Sequence, residues 1–185
     1  EYGWIEADKK IEDIELDRPF EECRGIGKSF GLNRNEELAD YLSAKELLET
    51  LCDLVSKGGN FLLNIGPDGD GTIPPLMEER LLGMGKWLEV NGEAIYESEV
   101  YSKKSADGVY YTQRDGNIYA ITEKFPSKET VFAEIDFDEN YKISLLGSEG
   151  TVIAENKDGK LALRTDICAP EDVACEHLYV YKISK

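Results

Sequence analysis

The stretch Gly58-Gly59-Asn60-Phe61-Leu62-Leu63-Asn64-Ile65-Gly66-Pro67 sets a short, almost continuous apolar run, 61–65, between two glycine signals. A strand buried on both faces has this form. Upstream, Ser43-Ala44-Lys45-Glu46 is written as a capping box, and Leu47, Leu48, Leu51, Cys52, Leu54 and Val55 follow at helical spacing. Gly58-Gly59 can end that helix through a left-handed backbone. Downstream, Pro74 and Pro75 suit a first helical turn. Leu76, Met77, Leu81, Leu82, Met84, Trp87, Leu88 and Val90 carry a second helix to a stop at Asn91-Gly92. With a strand-like run at Glu22-Cys23, the order strand, helix, strand, helix predicts consecutive β/α units of a parallel sheet or barrel.

Beyond Ser98 the rhythm changes. Residues 109–112 and 117–121 flank Asp115-Gly116, and 152–154 and 161–163 flank Asp158-Gly159. Short β-rich runs about Asp-Gly turns predict antiparallel hairpins. Further strands are expected over 130–135, 141–146 and 178–183, enough for a small β-sandwich. The fold class expected is therefore α/β plus all-β, with terminal β/α units over 1–97 and an antiparallel β-sandwich over 98–185. Two β/α units cannot close an eight-stranded barrel, and their apolar strands need neighbours on both edges. The simplest account is the C-terminal portion of a longer polypeptide, with the N-terminal part of the barrel as partner. An open sheet completed by homo-oligomerisation is the alternative.

Hydrophobic residues at 41% and charged residues at 32% give a globular composition. The net charge of −17 argues against a nucleic-acid binder, which needs a basic footprint, and against an anionic membrane surface. A neutral partner such as a sugar fits. No apolar run reaches the ~20 residues of a membrane span. The opening Glu1-Tyr2-Gly3-Trp4 lacks a signal peptide's basic region and apolar core. A segment without its natural beginning would look the same. Cys23, Cys52, Cys168 and Cys175 are too dispersed for a zinc ribbon or redox pair. Cys168 and Cys175 could form a disulfide in an oxidising compartment, with buried free thiols as the alternative.

The segment Cys23-Arg24-Gly25-Ile26-Gly27-Lys28-Ser29-Phe30-Gly31-Leu32-Asn33-Arg34-Asn35-Glu36 places an arginine and a carboxylate in a Gly- and Asn-rich loop after a strand. At the C-terminal end of a barrel strand such groups face an active site; elsewhere they are solvated surface charge. Asp68-Gly69-Asp70-Gly71-Thr72 fails as a calcium loop, because position six would be Ile73 and prolines follow. Gly58-Gly59 fails as a phosphate loop, because the glycines precede the strand and no Lys-Ser/Thr follows. No metal and no cofactor is expected.

These runs, with Val55-Ser56-Lys57-Gly58-Gly59-Asn60, Asp70-Gly71-Thr72-Ile73-Pro74, Gly85-Lys86-Trp87-Leu88 and Asn91-Gly92-Glu93-Ala94-Ile95-Tyr96, occur in the order found in glycoside hydrolase family 29. The chain from Tyr2 to Tyr96 resembles the end of the catalytic domain of its α-L-fucosidases. The resemblance implies a retaining enzyme built of a (β/α)8-like barrel followed by a β-sandwich, acting on a fucosylated glycan. It implies that Glu36 is the general acid/base, that Arg24 contacts the sugar, and that Phe61 packs beside the fucose methyl.

A retaining glycosidase needs a nucleophilic carboxylate and an acid/base carboxylate about 5–5.5 Å apart. The family's nucleophile is an aspartate on an earlier strand, and nothing here matches its surroundings. Its sugar-contacting histidines also lie upstream, and His177 alternates with Tyr179 and Tyr181 as in a structural strand. Leu32 stands where relatives commonly carry an aromatic residue. The chain alone is therefore expected to be inactive. The rival reading is a non-catalytic carbohydrate-binding or interaction module, using tyrosines at 101, 110, 111, 119, 141, 179 and 181.

Overall fold

The computed structural model describes residues 3–4, 19–106, 108–126, 129–167 and 169–185, without the side chains of 3–4 and 103–106. The chain divides into two compact units, Glu1–Lys86 and Trp87–Lys185. In the first, β1 (Gly3–Trp4), β2 (Phe20–Gly25) and β3 (Gly59–Asn64) form a sheet in that order. Both pairings are parallel, and β2 meets β3 from Phe20↔Gly59 to Gly25↔Asn64.

Helix α1 (Ala44–Ser56) joins β2 to β3. Its capping box forms as the sequence predicts: Ser43 Oγ accepts the Glu46 N–H at 3.2 Å, and Glu46 accepts the Ser43 N–H at 2.8 Å. Leu47, Leu48, Cys52 and Leu54 are its buried apolar side chains. Gly58 ends the turn at φ +85°. A Cβ on Gly59 would lie 2.5 Å from the Phe20 ring, so an aromatic on β2 packs over a bare backbone on β3. Helix α2 (Pro75–Asn91) follows, and its Gly83 approaches α1 closely enough that a Cβ would stand 3.1 Å from that of Ala44.

The parallel register gives the sheet two unlike faces, because side chains alternate along each strand. Phe20, Glu22, Arg24, Phe61 and Leu63 share one, and Phe20 and Glu22 there are buried. Glu21, Cys23, Asn60, Leu62 and Asn64 share the other, where Glu21 and Asn60 are exposed and Leu62 is 50% exposed. The strand over 61–65 is thus not buried on both faces. Apolar continuity reports what a strand is made to pack against, and within the described residues this sheet has only three strands and one open face.

The second unit holds two antiparallel sheets. One contains β4 (Glu99–Ala106), β5 (Val109–Arg114), β6 (Asn117–Thr122), β11 (Tyr179–Ser184) and β8 (Lys142–Leu145), in the order β4-β5-β6-β11-β8. The other runs β7-β10-β9, from β7 (Thr130–Asp136), β10 (Lys160–Thr165) and β9 (Val152–Lys157). Asp115-Gly116 and Asp158-Gly159 all have φ between +51° and +85°, the geometry of the tightest hairpin turns. Phe132 of β7 meets Tyr111 and Tyr181 of the larger sheet at centroid distances of 6.4 and 5.6 Å, so the sheets pack face to face. β4 escaped the sequence reading. It is rich in polar residues and its ladder with β5 shifts register twice, so no alternation marks it. The last strand begins at Tyr179, and His177 precedes it, exposed, at φ +73°. A tight turn donating the Leu178 N–H to the Glu176 carbonyl (2.9 Å) interrupts the alternation there. Cys175 is a buried free thiol; Cys168 lies outside the described residues.

Trp87 is 2% exposed, and its indole N–H donates to the Leu178 carbonyl at 2.8 Å. Trp87→Phe leaves that carbonyl only the weak Cys175 thiol donor at 3.6 Å and should lower unfolding free energy by about 1–3 kcal/mol, read from denaturant melts. Burial pushes the Tyr181 phenol up to about 12. Ionisation is easier in the unfolded chain, so this contribution is intact below pH ~10 and is lost as pH rises towards ~12. Tyr181→Phe should flatten the stability decline over that window.

Candidate active site

β2 ends at Gly25, and the segment 26–41 folds back over the end of the parallel sheet. Glycines make the room. A Cβ on Gly25 would stand 2.6 Å from the Ser29 carbonyl oxygen, and one on Gly27 would stand 2.8 Å from Glu36 Oε2. One on Gly66 would stand 2.2 Å from the Leu32 nitrogen and 2.6 Å from the Gly31 carbonyl carbon. The loop therefore lies on the side to which Gly25 points, the open face.

Polar contacts fix it there. The Ile26 N–H donates to the Asn64 carbonyl at 2.9 Å, extending the β2–β3 ladder by one residue. The Asn64 side-chain amide donates to the Phe30 carbonyl. Asn33 Nδ2 donates to Ser29 Oγ at 2.9 Å, and the Leu42 N–H donates to the Ile26 carbonyl at 3.0 Å. Lys28 pairs with Asp40 at 2.6 Å, and Arg34 with Asp68 at 3.1 Å. These exposed pairs steer the loop more than they stabilise it. Asp40 raises the Lys28 pKa, and Lys28 lowers that of Asp40.

Glu36 is half-buried in this loop. Its Oε1 accepts the Ser29 N–H at 2.5 Å. Its Oε2 is sealed from solvent beside Gly27 and the Tyr41 ring, and among the described residues no donor meets it in full hydrogen-bonding geometry. Burial first, and then the neighbouring Glu36 carboxylate, pushes the Tyr41 phenol above its ordinary value.

Arg24 and Phe61 sit differently. They share the opposite face of the sheet, where Phe61 is half-buried across from Glu22. Arg24 Nε lies 2.6 Å from Glu22 Oε1, a charge contact lacking hydrogen-bond alignment. Among the described residues no hydrogen bond reaches the two terminal nitrogens of Arg24. The structure thus brings Arg24 and Phe61 to one face and holds Glu36 over the other. Sequence reasoning found the loop but not its seat. Gly66, directly after the strand run, carried a signal for close backbone approach; nothing local marked Asn64 or Tyr41. Among the described residues no group of three or more His, Cys, Asp or Glu side chains gathers as a metal ion would need. Asp68 and Asp70 are engaged by Arg34 and by the Thr72 N–H.

A sequence profile of the α-L-fucosidase family matches residues 2–93. Tissue α-L-fucosidase of Homo sapiens is 35% identical across 98% of this chain and 41% of its own length. α-L-Fucosidase of Branchiostoma floridae is 46% identical across 58% of this chain and 25% of its own. The crystal structure of Thermotoga maritima α-fucosidase in complex with fucose superposes with a TM-score of 0.77 at 35% identity, over 91% of this chain and 40% of that one. The chain belongs to the α-L-fucosidase family. It spans about two fifths of the length of these human and Thermotoga fucosidases. The fucosidase profile stops before β4, while the Thermotoga fucosidase superposes on most of the chain, antiparallel sheets included.

The backbone contact at Gly66 cannot be relieved by a rotamer change. Gly66→Ala should destabilise the first unit by about 1–3 kcal/mol and raise amide exchange across 26–36. Gly69→Ala, with nothing within 4 Å of its Cβ, should stay within about 0.5 kcal/mol of the parent.

Proposed function

We propose that this chain is the C-terminal portion of a retaining α-L-fucosidase that removes terminal α-L-fucose from glycans. Residues 1–97 supply the last β/α units of a (β/α)8-like barrel, and 98–185 form a β-sandwich that follows it in the chain. The observation that carries the reading is the carboxylate of Glu36, fixed in a loop over the C-terminal end of a parallel strand within the stretch matched by the fucosidase profile. Barrel enzymes assemble their sites at that end.

In this reading an aspartate outside the chain attacks C1 of fucose while Glu36 gives its proton to the departing oxygen. Glu36 then takes a proton from the water that releases the sugar. Arg24 is the sugar contact. It is the penultimate residue of β2, no hydrogen bond from the described residues reaches its terminal nitrogens, and its stem is long enough to turn round the strand end. Phe61 lies mid-strand, and its place against the fucose methyl is supported by the family resemblance alone. The free edges of β1 and β3 are where strands of the N-terminal part of the barrel would pair.

The rival binding-module reading needs an exposed row of tyrosines. Of the seven tyrosines in 98–185, Tyr111, Tyr119 and Tyr181 are buried and the other four are half-buried.

The isolated chain should show no fucosidase turnover, and activity from the purified chain alone would sink the reading. In a complete protein carrying these residues, Glu36→Ala should cost about 10²–10⁴ in kcat on fucosides with poor leaving groups. Activated aryl fucosides should lose far less, and azide should restore part of the rate. Equal losses on both substrates would remove Glu36 as the acid/base.

A further inference from the structure

We infer that Asn64 is a positioning residue for Glu36, acting through the peptide between Ser29 and Gly31. The inference rests on the acid/base reading of Glu36 given above, but its geometry stands independently.

Asn64 is the last residue of β3, and its register partner is Gly25, the last residue of β2. It grips the loop twice. Its carbonyl accepts the Ile26 N–H at 2.9 Å, and its side-chain amide donates to the Phe30 carbonyl. The second contact is the informative one, because Phe30 follows the residue whose N–H holds Glu36. With the Phe30 carbonyl tied down, the Ser29 carbonyl packs over the bare Gly25, where a Cβ would stand 2.6 Å away. The Ser29 N–H is then aimed at Glu36 Oε1, which it meets at 2.5 Å. On the far side the Gly31–Leu32 backbone rests on Gly66. A rigid strand end thus sets the orientation of the Phe30–Gly31 and Ser29–Phe30 peptides, and the Lys28–Ser29 peptide adjoining them carries the N–H that meets the carboxylate. Phe30 is 61% exposed, so apolar packing of its ring does not hold this part of the loop. The amide of Asn64 does.

An acid that must reach a leaving oxygen tolerates little displacement, since about 1 Å of misplacement can cost a hundredfold. Removing the amide should therefore act on proton transfer and leave sugar binding largely alone. In a complete enzyme carrying these residues, Asn64→Ala should lower kcat ten- to a hundredfold on poor leaving groups. It should change kcat less than threefold on activated aryl fucosides, with KM little moved. In a Glu36→Ala background the same substitution should add less than a twofold effect, because the group it positions is gone. Asn64→Asp, which keeps the shape but sets a carboxylate against the Phe30 carbonyl, should behave like Asn64→Ala and serves if that variant folds poorly. Losses of equal size on both substrate classes, or an undiminished loss in the Glu36→Ala background, would reduce Asn64 to a structural residue and overturn the inference.

A second measurement separates this from failure of the acid/base reading. In the present chain, Asn64→Ala should raise hydrogen exchange of the Ser29 amide at least tenfold while the α1 amides hold their protection. Unchanged Ser29 exchange would overturn the positioning whatever Glu36 does. If Ser29 exchange rises but Glu36→Ala lacks leaving-group selectivity, the acid/base assignment falls and Asn64 positions a carboxylate of another role.

Discussion

The contact of backbone on backbone where the 26–41 loop crosses the end of β3 is the constraint on which the site depends. At Gly66 the crossing chain comes within a distance no side chain would allow, and at Gly25 it does so again from the other strand. Close approach of this kind is stiff, because neither partner has a rotamer to change. The loop is consequently held less by its exposed ion pairs than by the two strand ends beneath it. The parallel register of Gly25 with Asn64 places those ends side by side. A slip of one residue would send Asn64 to the other face and leave the Phe30 carbonyl without its donor.

The electrostatics follow from that placement. Glu36 reaches its half-buried position because the Ser29 N–H meets one oxygen and Gly27 leaves space for the other. Buried carboxylate oxygens seek donors, and among the described residues Glu36 Oε2 and Glu22 Oε1 both lack an aligned one. Glu22 illustrates the contrast. It too is buried, but a guanidinium lies against it, and the pair occupies the covered face of the same sheet.

The second unit is organised by different physics. Asp-Gly turns with both residues left-handed fix two hairpins, and aromatic contacts from Phe132 to Tyr111 and Tyr181 join the sheets. Tyr111, Tyr119 and Tyr181 are spent on this core. The Trp87 indole is satisfied by the Leu178 carbonyl of the same unit.

Much of the fold was legible locally. The Ser43 capping box, the Gly58 stop, the Asn91 helix end and both Asp-Gly hairpins are signals carried by neighbouring residues, because capping and turn chemistry are short-range. The candidate carboxylate and its loop could likewise be read from the motif that contains them. What only the tertiary structure decided was sidedness. Whether Arg24 and Glu36 point the same way depends on strand alternation and on where a loop folds back, and twelve residues of sequence separation say nothing about either. The exposure of Leu62, the helplessness of alternation at His177, and the grip of Asn64 on Phe30 are of the same kind. Each is settled by atoms distant in the chain, since burial and hydrogen-bond partners belong to the packed backbone and not to the residue.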